Sequence, residues 1–78
     1  MMKNLVDFLA KSLVDYPDKV VVKEIAKDNN TMVYELRVAQ TDIGKVIGKK
    51  GRTAQALRTL LAAAGSRQNK RTELEIIE

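Results

Sequence analysis

Apolar and polar positions along this chain follow two rhythms, and the rhythm changes where proline, asparagine or glycine intervenes. Near the N-terminus Leu5, Phe8, Leu9 and Leu13 recur every three to four positions, with Val6 and Ala10 beside them. That spacing predicts an amphipathic helix ending before Tyr16-Pro17, because proline disfavours helical backbone in the residue that precedes it. The stretch KVVVKEIAK, Lys19 to Lys27, is rich in β-branched residues and predicts a strand, and Asp28-Asn29-Asn30 predicts a turn. From Thr31 to Ala39 the pattern alternates: Met32, Tyr34, Leu36 and Val38 share one face, Glu35 and Arg37 the other. Together the two runs predict a hairpin.

The three-to-four spacing then returns. Thr41 or Asp42 is placed to cap a short helix from Ile43 to Ile47, since a side-chain oxygen there accepts from the free amides of the first turn. Gly48 to Gly51 interrupts it, and a longer helix from Arg52 to Ala64 presents Ala54, Leu57, Leu61 and Ala64 along one stripe, with Gly65 as its C-terminal stop. After the polar, basic connection Ser66 to Arg71, TELEII sets Leu74 and Ile76 against Glu73 and Glu75 and predicts a third strand. The order α-β-β-α-α-β implies an α+β fold, a three-stranded sheet with three helices packed on one face over a single core. Tyr16, Tyr34 and Phe8 are expected to be packing residues.

Composition narrows the function. At 78 residues the chain is expected to form a single domain, residues 1–78. It has no cysteine and no histidine, which removes thiolate ligands, the commonest metal ligand and the usual side chain for proton transfer near neutral pH. An enzymatic role, a metal and a cofactor are therefore not expected. Charges at Lys3, Asp7 and Lys11 break the N-terminal apolar stretch, so neither a signal peptide nor a membrane span is predicted and a cytoplasmic location is expected, with no membrane partner.

Charge is segregated. Between Ile43 and Arg71 stand Lys45, Lys49, Lys50, Arg52, Arg58, Arg67, Lys70 and Arg71 without one acidic residue, while the other six cations face ten acids. A surface meant only for solubility has no need to separate its signs, whereas a polyanionic partner does. In the sequence VIGKKGRTAQAL two glycines bracket two lysines between helices. Glycine's freedom at positive φ permits a sharp reversal, and the helix that follows offers unpaired amides and the positive end of its dipole to a phosphate. Lys49 and Lys50 add charge there, and Lys45 and Arg52 flank it. A P-loop is excluded, because three residues separate Gly44 from Gly48 where four are needed and Lys50 stands in place of the magnesium-binding hydroxyl. A dinucleotide fingerprint is excluded by the lack of a G-x-G. Arg58 is read as a solvated helix residue, Arg67, Lys70 and Arg71 as secondary contacts, and Asp42 as a cap. With no aromatic residue in the basic window, base stacking is not expected and sequence preference should be modest.

The stretch DIGKVIGKKGRTAQALRTLL resembles the core of a KH domain, whose G-x-x-G loop clamps about four nucleotides of single-stranded nucleic acid by the backbone. The element order is similar to that of the bacterial, type II arrangement. Length, opening helix and the closing NKRTELEIIE resemble the KhpA (YlqC) family of small bacterial RNA-binding proteins over essentially the whole chain. The resemblance implies that Gly48, Lys49, Lys50 and Gly51 form an RNA-binding loop, with Ile47, Ala54 and Leu57 beside a narrow apolar groove for bases; Ala54 and Leu57 are read as core residues in either case, and bordering the groove is an addition to that role. The family pattern often carries a larger aliphatic residue where Ala54 stands, which implies a shallower groove here. It further implies single-stranded RNA as ligand, a second KH protein of the KhpB (Jag) type as partner or a homodimer, no small-molecule substrate, and a role as RNA chaperone or post-transcriptional regulator in envelope growth and cell length. The competing expectation is a protein-interaction or ribosome-associated scaffold module, using Leu60 and Ala63, which fall off the main helical stripe.

Overall fold

The structure, a computed structural model, describes residues 2–78. Its elements are α1 (Met2–Leu13), β1 (Val21–Ala26), β2 (Thr31–Arg37), α2 (Ile43–Ile47), α3 (Arg52–Ser66) and β3 (Arg71–Ile77), with 3₁₀ turns at Pro17–Lys19, Gln40–Asp42 and Lys49–Gly51. This is the expected α-β-β-α-α-β order. The first strand starts later than its β-branched run suggests, because Pro17–Lys19 coils into a turn closed by Lys19 N to Tyr16 O (3.0 Å) and Val20 N to Pro17 O (3.2 Å).

β2 is the central strand. It pairs antiparallel with β1, setting Val22 opposite Leu36, and parallel with β3, setting Tyr34 opposite Leu74 and Leu36 opposite Ile76. A parallel pair needs a crossover, and α2 and α3 supply it. The sheet face towards the helices carries Val22, Tyr34, Leu36 and Leu74, which join Val6, Ala10, Val46, Leu57 and Leu61 in one buried cluster. Tyr34 has no accessible surface, and its hydroxyl donates to Glu24 Oε2 at 2.6 Å. Burial of the phenol and the neighbouring carboxylate push its pKa up, so it stays neutral and keeps the proton that the bond requires.

Two expectations about faces change. α1 buries Met2, Val6 and Ala10, with Leu9 partly covered, whereas Phe8 is 67% exposed and Leu13 40%. The reason is close approach: the small Ala10, with no accessible surface, lies where α1 meets its neighbours, and this turns the bulky Phe8 outward. Tyr16, also read as packing, is 52% exposed. Gly65 is the second case. It lies inside α3, not beyond its end, and is buried; a Cβ there would stand 2.7 Å from Thr72 Cγ2 and 2.8 Å from the Lys70 carbonyl oxygen. Its role is to let β3 pass close to the helix, with Gln68 N and Lys70 N both donating to its carbonyl at 2.9 Å.

Candidate nucleic-acid interface

α2 is only five residues long and is held in place by one apolar anchor and one polar one. Val46 is fully buried in the core. Asp42 precedes the helix but does not cap it: its backbone is already helical (φ −97°, ψ −6°) and its carboxylate points away. Oδ1 accepts from Asp15 N at 3.1 Å and Oδ2 from Tyr16 N at 3.0 Å, so this fully buried carboxylate ties the start of α2 to the chain leaving α1. Lys45 closes the cluster, pairing with Asp15 and lying 3.7 Å from Asp42 Oδ1. The Asp15 hydrogen bond, helped by both negative charges, raises the Lys45 pKa above the ordinary lysine value. Expected as a flanking phosphate contact, Lys45 is thus already engaged by carboxylates within the fold.

Gly48 to Gly51 form the turn between α2 and α3, and three of the four residues have left-handed φ. Gly48 has φ 77° and ψ 171°, Lys50 φ 57° and ψ 26°, Gly51 φ 73° and ψ 12°. At Gly48 glycine is required twice over, since a Cβ would lie 2.1 Å from Thr53 Oγ1. At Gly51 only the dihedral asks for it, because nothing lies within 4 Å of the Cβ position. Gly48 N donates to Gly44 O (2.8 Å) and Gly51 N to Gly48 O (3.1 Å), and among the described residues no backbone acceptor pairs with the amides of Lys49 and Lys50. A 3₁₀ residue followed by left-handed ones turns successive amides towards one side, the geometry of an anion-binding concavity. Both lysine side chains are exposed and, among the described residues, neither meets a carboxylate. Arg52, exposed at the first position of α3, adds a third cation.

The remaining expected residues divide. Ile47 keeps partial exposure next to the loop, but Ala54 and Leu57 are only 3% and 5% accessible and sit in the core, so they offer a base little surface. Arg67, Lys70 and Arg71 are not beside the loop: they lie past the far end of α3, whose 15 residues rise about 22 Å. Arg58 is more than a solvated residue, since its Nη2 donates to Leu74 O at 3.1 Å. Sequence reasoning missed Thr53, whose side chain fills the space over Gly48, and Asp15, which holds Lys45. A hydroxyl two residues beyond Gly51 hints at Thr53; no local pattern signals Asp15, because its partners are 27 and 30 positions away.

A parallel pair of strands joined through two helices, with a G-x-x-G turn between those helices and a further helix and antiparallel strand ahead of them, is a KH domain in the type II arrangement. The chain belongs to the family described as KhpA/KhpB, KH domain, whose model matches residues 3–76. It is 51% identical over 77 residues to the RNA-binding protein KhpA of Chlamydia trachomatis serovar D, covering 99% of this chain and 97% of that protein. It is 53% identical over 77 residues to the RNA-binding protein KhpA of Aquifex aeolicus, covering 99% and 96%, and 51% identical over 76 residues to that of Clostridium acetobutylicum, covering 97% and 100%. No solved structure matches the chain.

Proposed function

We propose that residues 1–78 act as a single KH domain that binds single-stranded RNA without chemistry of its own. The observation that carries this reading is the Gly48 to Gly51 turn, where left-handed backbone converges with two amides that lack a backbone acceptor and two lysines that meet no carboxylate among the described residues. The amides and the Lys49, Lys50 and Arg52 side chains hold phosphates, and Ile47 offers the apolar edge next to them. Bases are selected weakly, since Ala54 and Leu57 lie in the core and the loop carries no aromatic residue. The names of the relatives support RNA as the ligand. The protein acts in the cytoplasm as an RNA chaperone or post-transcriptional regulator, together with a second KH protein of the KhpB (Jag) type or with a second copy of itself, in control of the envelope and cell length. Pairing suits a domain with one short clamp, because two linked domains raise each other's effective concentration on one RNA.

The test is Lys49→Asp combined with Lys50→Asp. Both side chains are exposed, so far-UV circular dichroism and the melting temperature should stay unchanged. Fluorescence anisotropy with a labelled RNA should show affinity falling more than tenfold. Unchanged affinity in the folded double variant would refute the loop as the binding site.

A second reading, a protein-docking module, is favoured by Leu60, which is 48% exposed on the outer side of α3. Copurification with and without nuclease separates the two: a partner retained after RNA digestion supports direct docking, and a partner released supports an RNA bridge.

A further inference from the structure

At the end of α3 opposite the loop, two open cavities of about 690 and 400 Å³ adjoin, and Asn30 and Arg71 line both. The tertiary fold makes this place, for Asn30 belongs to the β1–β2 turn and Arg71 opens β3, joined by Arg71 N to Asn30 O at 2.6 Å. Lys70 is bound across the same seam, its Nζ donating to Asn29 O at 2.6 Å. Among the described residues neither Arg67 nor Arg71 is paired with a carboxylate. Of the acids nearby, Glu73 pairs with Lys27 at 3.1 Å, and Asp28, which lines only the smaller cavity, accepts from Asn30 N at 2.8 Å.

A continuous path leads there from the loop. Arg52, Gln55, Thr59, Ala62 and Ser66 follow each other at intervals of three and four along α3, and all five are exposed. They form one stripe from the Gly51 end of the helix to the larger cavity, which Ala62 and Ser66 help to line. No acidic residue occurs anywhere in α3. A polyanion leaving the loop along this stripe meets small and polar side chains and ends at the cavity lined by Lys70 and Arg71, whose guanidinium meets no carboxylate among the described residues.

Resting on the RNA-binding reading of the loop, we propose that the bound strand continues along the outer stripe of α3 and that its distal phosphates are received by the larger cavity, lined by Asn30, Lys70 and Arg71. The helix length adds about four nucleotides to the roughly four held at the loop, for a footprint of about eight on one single strand. The residues at the two ends of α3 thus work as one site, and the length of unpaired RNA becomes a determinant of binding.

The experiment compares oligouridylates of five and ten nucleotides at fixed salt, by anisotropy, for the wild-type chain and three variants. The wild-type chain should bind the 10-mer about tenfold tighter than the 5-mer. Arg71→Glu should erase that advantage while leaving 5-mer affinity within twofold, and Asn30→Asp, in the opposite wall, should reduce it as well. Lys49→Asp with Lys50→Asp should weaken both oligomers. Equal wild-type affinity for the two lengths, or a length advantage that survives in both distal variants, overturns the extension and leaves the loop reading standing. Retained 5-mer binding by the loop variant overturns the loop reading itself and the extension with it.

Discussion

Asp42 is the residue on which the placement of the candidate loop rests. A buried carboxylate is costly unless its oxygens are satisfied, and here two amides and an ammonium group answer it. Because those amides belong to Asp15 and Tyr16, the same carboxylate stitches the α1–β1 connection to the helix that leads into Gly48. Asp42→Ala would leave the amides of Asp15 and Tyr16 without their partner beside a fully buried position. We expect a loss of about 2–4 kcal/mol of stability, read as a lower urea midpoint. A midpoint within error of wild type would show that water reaches those amides. The sequence marks Asp42 as polar before a helix, and a cap is the natural local reading. The actual partners are distant in sequence, so only the fold identifies them.

At the scale of elements, α3 does most of the positioning: its first turn follows the loop, its inner stripe of Ala54, Leu57 and Leu61 anchors it, and its last turn lies against β3. Gly65 gives this contact a testable sign. In an ordinary helix interior Gly→Ala stabilises by about 1 kcal/mol. Here the new methyl would meet the Lys70 carbonyl, which is backbone and cannot swing aside. Gly65→Ala is therefore expected to destabilise by about 1–2 kcal/mol, as overpacking does, measured by thermal or urea unfolding. A stabilised variant would mean that β3 can shift away. The existence and type of all six elements were legible from periodicity, because strongly patterned segments bury one face whatever they bury it against. The buried face of α1 was not: Leu5, Val6, Phe8, Leu9, Ala10 and Leu13 contain two overlapping stripes, and helix packing favoured the one built on the smaller residues.

For the whole molecule the governing feature is the separation of charge, with eight cations and no acid from Ile43 to Arg71. If three or four phosphates are neutralised, log affinity for single-stranded RNA should fall with log salt at a slope of about −2 to −3. Titration at several potassium chloride concentrations measures it, and a flat response would remove phosphate contacts from the account. The sequence by itself determined the element order, the hairpin, the G-x-x-G turn and its lysines, and the basic stretch, because each is written in neighbouring residues and local backbone preference. The tertiary structure alone decided which cations remain available. It drew Lys45 to Asp15 and Asp42, turned Arg58 to the carbonyl of Leu74, and carried Arg71 to the hairpin turn at the far end of α3. A charge or an apolar group has the same letter whether it is engaged or free, and its partners, tens of residues away, are chosen only when strands and helices close over a common core.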